Sequence, residues 1–306
     1  MSTQVRAPAV SLRVFLEHLI DYAGLFAPAS LDMATSVNNY ARYLNHPQRW
    51  ALGRFVLPVA RLDEFLNAQE NVAAERWQLS GIIAGDIEAE LAAVDQYNRK
   101  ASGAVMDCIE VHTNSLDEMD RVRAHQPAGT TVWFEIAPER VDELLPILRH
   151  VGGRAKLRTG GVVKDAFPAM EQVARFVARC AELGVPFKAS AGLHHPLCCV
   201  RPFTYAENSP EGVMHGFLNL FTAAAMAWSR VHAGSPVPRS AIATCLADSE
   251  RANWHFGEDA LTWSGEDEPV RIDLENLRTV RSKFALSFGS CSFEEPIQDL
   301  RELDLL

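Results

Sequence analysis

The chain has 306 residues, 48% of them hydrophobic and 22% charged, enough for one large core or two modest ones and unlike the composition of a disordered chain. Its 29 Lys and Arg against 39 Asp and Glu give a net charge of −10, which repels a phosphate backbone unless basic residues gather on one face, so no nucleic-acid partner is expected. The first residues, Met1-Ser2-Thr3-Gln4-Val5-Arg6, lack the basic-then-apolar order of a secretion signal, and no apolar run has membrane-spanning length. A soluble cytoplasmic protein with no membrane partner is expected.

Short apolar runs alternate with helical stretches along the chain. A first strand candidate lies at 19–26, followed by 54–59, 79–85, 105–112, 131–136, and two lysine-bearing runs at 154–161 and 186–193. Helix ends are legible between them. Ser115-Leu116-Asp117-Glu118 has the pattern of a capping box, Pro138 suits a first helical position, Pro168 opens a helix over 169–183, and Gly184 ends it. Consecutive βα units imply a parallel sheet, because each helix carries the chain back to begin the next strand. With 19–26 at one end and 284–290 at the other the strands number eight, which favours a closed (β/α)8 TIM-type barrel over an open doubly wound sheet. The stretch 197–280 breaks the rhythm, with an apolar helix candidate at 216–231 and a polar-aromatic segment at 254–271. It reads as an insertion before the last strand of a single barrel domain: most simply a surface elaboration, with a lid or a homo-oligomer contact as the functional alternatives. The cysteines at 108, 180, 198, 199, 245 and 291 form no CxxC pair, so they read as packing residues.

Strand periodicity decides which side chains meet, since residues two apart share a face. Lys156 falls with Arg158, Lys188 with Ser190, Glu110 with Cys108 and His112, and Glu135 with Trp133, while the alternate positions are apolar and suit the helix-facing side. Burying unpaired charge is costly, so Glu110, Glu135, Lys156, Arg158 and Lys188 are expected either to pair in a salt-bridged inner layer or to surround a site. The strand ends of a barrel favour a site. Two lysines in one closed site are expected to depress each other's pKa, and a neutral amine is what carbonyl chemistry through a Schiff base requires. Asp21 and Tyr22, at the end of the first strand, are candidate substrate contacts, although Tyr22 suits packing at the barrel mouth equally well. The turns at Gly160-Gly161 and Gly289-Ser290 offer backbone N–H groups to an anion, though such turns more often serve only to reverse the chain.

Lys156-Leu157-Arg158-Thr159-Gly160, Lys188-Ala189-Ser190-Ala191-Gly192 and Phe288-Gly289-Ser290-Cys291-Ser292 resemble, in that order, the KTSTG, KASGG and FGASS strands of the deoxyribose-phosphate aldolase family. Glu110 stands where that family has an aspartate on its fourth strand. The resemblance implies a class I aldolase on a (β/α)8 barrel, with Lys156 forming the Schiff base, Lys188 lowering its pKa and Glu110 shuttling protons through a water. Leu157-Arg158 replaces the family's Thr-Ser, the acid is one methylene longer, and Leu193-His194-His195-Pro196 occupies the turn toward its phosphate site. Gly289 also stands 101 positions after Lys188, so a substrate other than deoxyribose phosphate is expected.

The expectation is therefore a Schiff-base lyase acting on a small anionic hydroxy-carbonyl compound without a cofactor. Glu110 or Glu135 would move protons, and Arg158 would hold a carboxylate or phosphate bidentately. Two other classes fit the residues. A metal-dependent isomerase or hydrolase would use Glu110, His112, Glu135 and one of His194 and His195, which as neighbours on an extended segment point to opposite sides. A non-catalytic barrel would use Arg158 and the lysines as anion clamps. No G-x-S-x-G elbow or G-x-G-x-x-G fingerprint supports serine or dinucleotide chemistry.

Overall fold

A computed structural model describes residues 7–70, 72, 77–100, 103–113, 115–237, 239–265 and 268–306. Helix α1 (Val10–Leu16) precedes strand β1 (Ile20–Tyr22), and from there strands and helices alternate: α2 (Met33–Leu44), β2 (Leu52–Pro58), α3 (Leu62–Gln69), β3 (Trp77–Ile83), α4 (Ile87–Lys100), β4 (Ala104–His112) and α5 (Leu116–Ala124). The pattern continues with β5 (Thr131–Glu135), α6 (Val141–His150), β6 (Arg154–Arg158), α7 (Met170–Leu183) and β7 (Phe187–Ser190). A longer excursion follows: β8 (Cys199–Pro202), β9 (Glu211–Met214), α8 (Phe217–His232), α9 (Arg239–Ala247), β10 (Trp254–Phe256), β11 (Ala260–Trp263), β12 (Val270–Asp273) and α10 (Leu274–Lys283). The chain ends with β13 (Ala285–Ser290) and α11 (Glu294–Glu302).

Strands β1 to β7 and β13 close into an eight-stranded parallel barrel, with β13 pairing β7 on one side and β1 on the other. This is the (β/α)8 barrel expected from the alternation of apolar runs and helices. The local signals act where they were read. Ser115 Oγ accepts the Glu118 N–H at 3.2 Å to cap α5, and Gly184, at φ 62°, ends α7 in the left-handed region that a side chain disfavours.

The excursion between β7 and β13 divides in a way the sequence reading did not foresee. Every residue of α8 from 217 to 227 is buried. Phe217 stacks on Phe288 with ring centroids 5.1 Å apart, and Phe221 stacks on Phe187 at 6.4 Å. A helix buried on all sides belongs to the interior of the layer that wraps the barrel, so α8 is barrel wall and not part of an added cap. The true elaborations are the antiparallel β8–β9 hairpin and the three-stranded antiparallel sheet β10-β11-β12, which packs beside α1. Among the described residues no helix is long and apolar enough to cross a membrane.

Candidate active site

Register brings the charged residues of the inner face together. Glu135 pairs with Lys156, Lys156 with Lys188, and Asp21 with Gly289 across adjacent strands. On the inner face these positions form one continuous ion network. Glu110, on β4, sits at its centre: its Oε2 is 2.8 Å from Lys156 Nζ, and its Oε1 accepts from Lys188 Nζ and from Ser80 Oγ, both at 2.7 Å. Lys156 Nζ also reaches Glu135 Oε2 at 2.8 Å. Lys188 Nζ donates to Asp21 Oδ2 at 2.7 Å, and Asp21 is held further by Ser287 Oγ and by the Arg54 backbone N–H, each at 2.8 Å. The apolar alternates Ile109, Val111, Phe134, Ala155, Leu157, Phe187 and Ala189 are buried.

This arrangement reverses the expectation that the two lysines depress one another. Burial alone pulls Lys156 toward the neutral amine, but Glu110 and Glu135 outweigh it and hold its pKa above the ordinary lysine value. Burial acts the same way on Lys188, and Asp21 with Glu110 raises it further still. Burial also favours protonation of Glu110, yet the flanking ammonium groups keep its pKa well below the usual carboxylate range. The carboxylates interleave with the lysines, so at rest both lysines are ammonium ions.

Above the network, at the C-terminal ends of the strands, lies a cavity of about 250 Å³. Its polar lining is Glu110, Lys156, Arg158, Ser190, His194 and Cys291, and its apolar lining includes Phe26, Val56 and Ile82. Lys156 lines this cavity; Lys188 lies beneath it. Arg158 is exposed, donates from Nε to the Gly160 carbonyl at 3.1 Å, and has no carboxylate partner among the described residues. Ser190 Oγ is buried without a hydrogen-bond partner among the described residues. Gly289 leaves room beside Ser190, since a Cβ there would meet only Ser190 Cβ, at 3.9 Å.

His194 and His195 diverge as neighbours on an extended segment should. His195 Nδ1 pairs with Asp299 Oδ2 at 2.6 Å, away from the cavity. His194 Nδ1 faces Glu295 Oε2 at 3.2 Å and Cys291 Sγ at 3.9 Å. Burial disfavours its cation, but hydrogen bonding to Cys291 and Glu295 pushes its pKa up to about 10, so it is an imidazolium at the cavity wall. Tyr205, in the β8–β9 connection, places its hydroxyl 3.1 Å from Glu295 Oε2 and 3.6 Å from Cys291 Sγ, bringing the hairpin over this side of the mouth.

Several candidates lie off the cavity. Gly160 is needed for close approach: a Cβ there would fall 2.5 Å from Phe167 and 2.8 Å from Gly192 Cα. Neither Gly160 nor Gly161 lines the cavity, and Ser290 is buried with its carbonyl accepting the Ala23 N–H. Tyr22 packs outside the barrel against Tyr40, Tyr43 and Phe55. His112 is exposed, with its Nδ1 3.9 Å from Glu135. Among the described residues no group of three His, Cys, Asp or Glu side chains is arranged to hold a metal ion. Ser80 and Ser287 were not singled out in the sequence; a serine within the apolar run Leu79-Ser80-Gly81-Ile82 was the available signal.

Neither a protein-family model nor a curated protein matches the chain. Among solved structures, FabK from Thermotoga maritima aligns over 63% of this chain and 56% of its own at 11% identity and a TM-score of 0.37. A mutant of FabK from the same organism aligns over 62% and 59%, with the same identity and score. The chain thus spans a little over half the length of these structures.

Proposed function

We propose that the chain is a Schiff-base lyase of the class I aldolase type, with Lys156 as nucleophile, acting on a small anionic hydroxy-carbonyl compound. The observation that carries the reading is the position of Lys156. Its ammonium lines the cavity, bonded to Glu110 and to the partly exposed Glu135, with Lys188 held beneath. Arg158 and His194 supply positive charge higher on the wall, where a substrate carboxylate or phosphate would rest.

Both lysines rest as ammonium ions, so the first step is a proton transfer from Lys156 to Glu135. The freed amine adds to the substrate carbonyl, the former carbonyl oxygen takes up protons and leaves as water, and an iminium forms. The electron pair of the breaking carbon–carbon bond then flows into the iminium to give an enamine. A base accepts the proton of the hydroxyl that becomes the new carbonyl: Glu110 lines the cavity but is already bound to two ammonium groups and a hydroxyl, whereas Glu135, bonded to Lys156, carries fewer donors and takes this role. Protonation of the enamine carbon and addition of water release the second product and restore the amine. Lys188, itself held by Asp21, bonds Glu110 in place, and both Lys188 and Asp21 remain outside the covalent steps.

An enamine exchanges the hydrogens next to the carbonyl carbon with solvent, which gives a test that needs no knowledge of the natural substrate. Small keto acids and hydroxy-aldehydes incubated in D2O should lose those proton signals by NMR with the intact chain and keep them with Lys156→Ala. Saturable binding with no exchange for any carbonyl compound would instead support an anion-binding barrel, a reading favoured by Arg158, which lines the cavity without a carboxylate partner among the described residues.

A further inference from the structure

The opposite end of the barrel contains a second cavity, of about 370 Å³, that shares no lining residue with the first. It opens where the strands begin, and its walls carry Arg54, Arg154, Arg278 and Arg281, with Trp133 and Ser287. Only one of these guanidinium groups has a carboxylate partner among the described residues: Arg54, bidentate to Asp107 at 2.7 and 2.8 Å. Arg281 is buried and donates to the backbone carbonyls of Phe15, Glu17 and Ala285, which anchors it; the carboxylates of Asp21 and Glu17 act on its charge without being bonded to it. Arg154 lies over the Trp133 ring, 5.3 Å from its centroid, with no hydrogen bond or ion pair among the described residues. Arg278 is exposed at the rim. The carboxylate lining the cavity is that of Glu17.

A concentration of cations in a chain of net charge −10 needs a physical account. The starting end of a barrel ordinarily serves stability, and Arg54 and Arg281 do so through their bonds. Arg154 and Arg278 make no such bonds, while the low-dielectric walls concentrate the field of all four groups. A guanidinium presents five donors in a planar fork that matches a carboxylate or phosphate. We propose that this cavity is a binding site for a small phosphate- or carboxylate-bearing molecule, with Arg154 as its principal ligand and Arg278 closing over it. Lys188 and Ser287, which hold Asp21, form its inner wall, so the bound anion lies directly beneath the ion network of the candidate active site.

Isothermal titration of the full chain with inorganic phosphate and with succinate, at ionic strength matched with sodium chloride, tests the site and separates the two anion sources. Saturable binding of either is expected, weakened about tenfold or more in Arg154→Gln through loss of a charge-assisted bond. Arg278→Gln should weaken it as well and provides a second reading if Arg154→Gln does not fold by circular dichroism. Arg158→Ala, at the other cavity, should leave this binding intact. Binding of neither anion, or binding abolished by Arg158→Ala and untouched by the Arg154 and Arg278 variants, would overturn the proposal. Neither result depends on whether Lys156 forms a Schiff base.

Discussion

Glu110 has two oxygens and three donors on them, from Lys156, Lys188 and Ser80, in a place that is 2% exposed. A buried carboxylate in this position compensates two ammonium groups at once. Removing one member of a buried ion pair costs about 3–5 kcal/mol because the remaining charge is left unbalanced. Glu110→Gln, which keeps the shape, should therefore lower unfolding stability in urea by about that amount; a loss no larger than for an exposed Glu→Gln control would contradict the network's role. His194 makes a pH-dependent contribution of definite sign. Its folded pKa, about 10, lies above the ordinary 6.5, so its interaction with Glu295 and Cys291 stabilises fully below about 6.5 and is lost as pH rises through about 10. Stability measured across that window should fall more steeply in the wild type than in His194→Gln. Equal slopes would mean that His194 is not held as a cation.

At the scale of elements, the strands were legible because their two faces alternate in sequence: Lys156 and Arg158 against Ala155 and Leu157, Lys188 and Ser190 against Phe187 and Ala189. Helix α8 was misplaced because a largely apolar stretch buried all round carries little face signal, and only the contacts of Phe217 and Phe221 with the barrel strands assign it to the wall. The cluster of Tyr205, Cys291, His194 and Glu295 was illegible for a different reason: its members come from three separate segments and meet only through the fold. The close packing of the loops after β6 and β7 is a testable feature of this scale. A Cβ at Gly160 would fall 2.5 Å from Phe167 and 2.8 Å from the Gly192 backbone, so Gly160→Ala should cost about 1–3 kcal/mol in a denaturation experiment. An unchanged midpoint would show that the two loops are not in contact.

The whole molecule is polar along the barrel axis. A cavity with Lys156, Arg158 and His194 opens at the strand ends, the lysine–carboxylate network fills the middle, and an arginine-walled cavity opens at the strand starts. Strand periodicity assigned side chains to the inner face without fixing their height along the axis, because height depends on strand tilt as well as register, and Lys156 and Lys188 are themselves register partners. That is why Lys156 and Lys188 read as equivalent in sequence, whereas one lines the upper cavity and the other the lower. For the same reason the mutual depression of their pKa values was expected, and the carboxylates inserted between them were not placed. The most direct test of the account is borohydride reduction of the protein during incubation with small keto acids and hydroxy-aldehydes, followed by mass-spectrometric mapping. The account predicts a reduced adduct on Lys156 that disappears in Lys156→Ala; an adduct on Lys188 instead, or no adduct with any carbonyl compound, would contradict it.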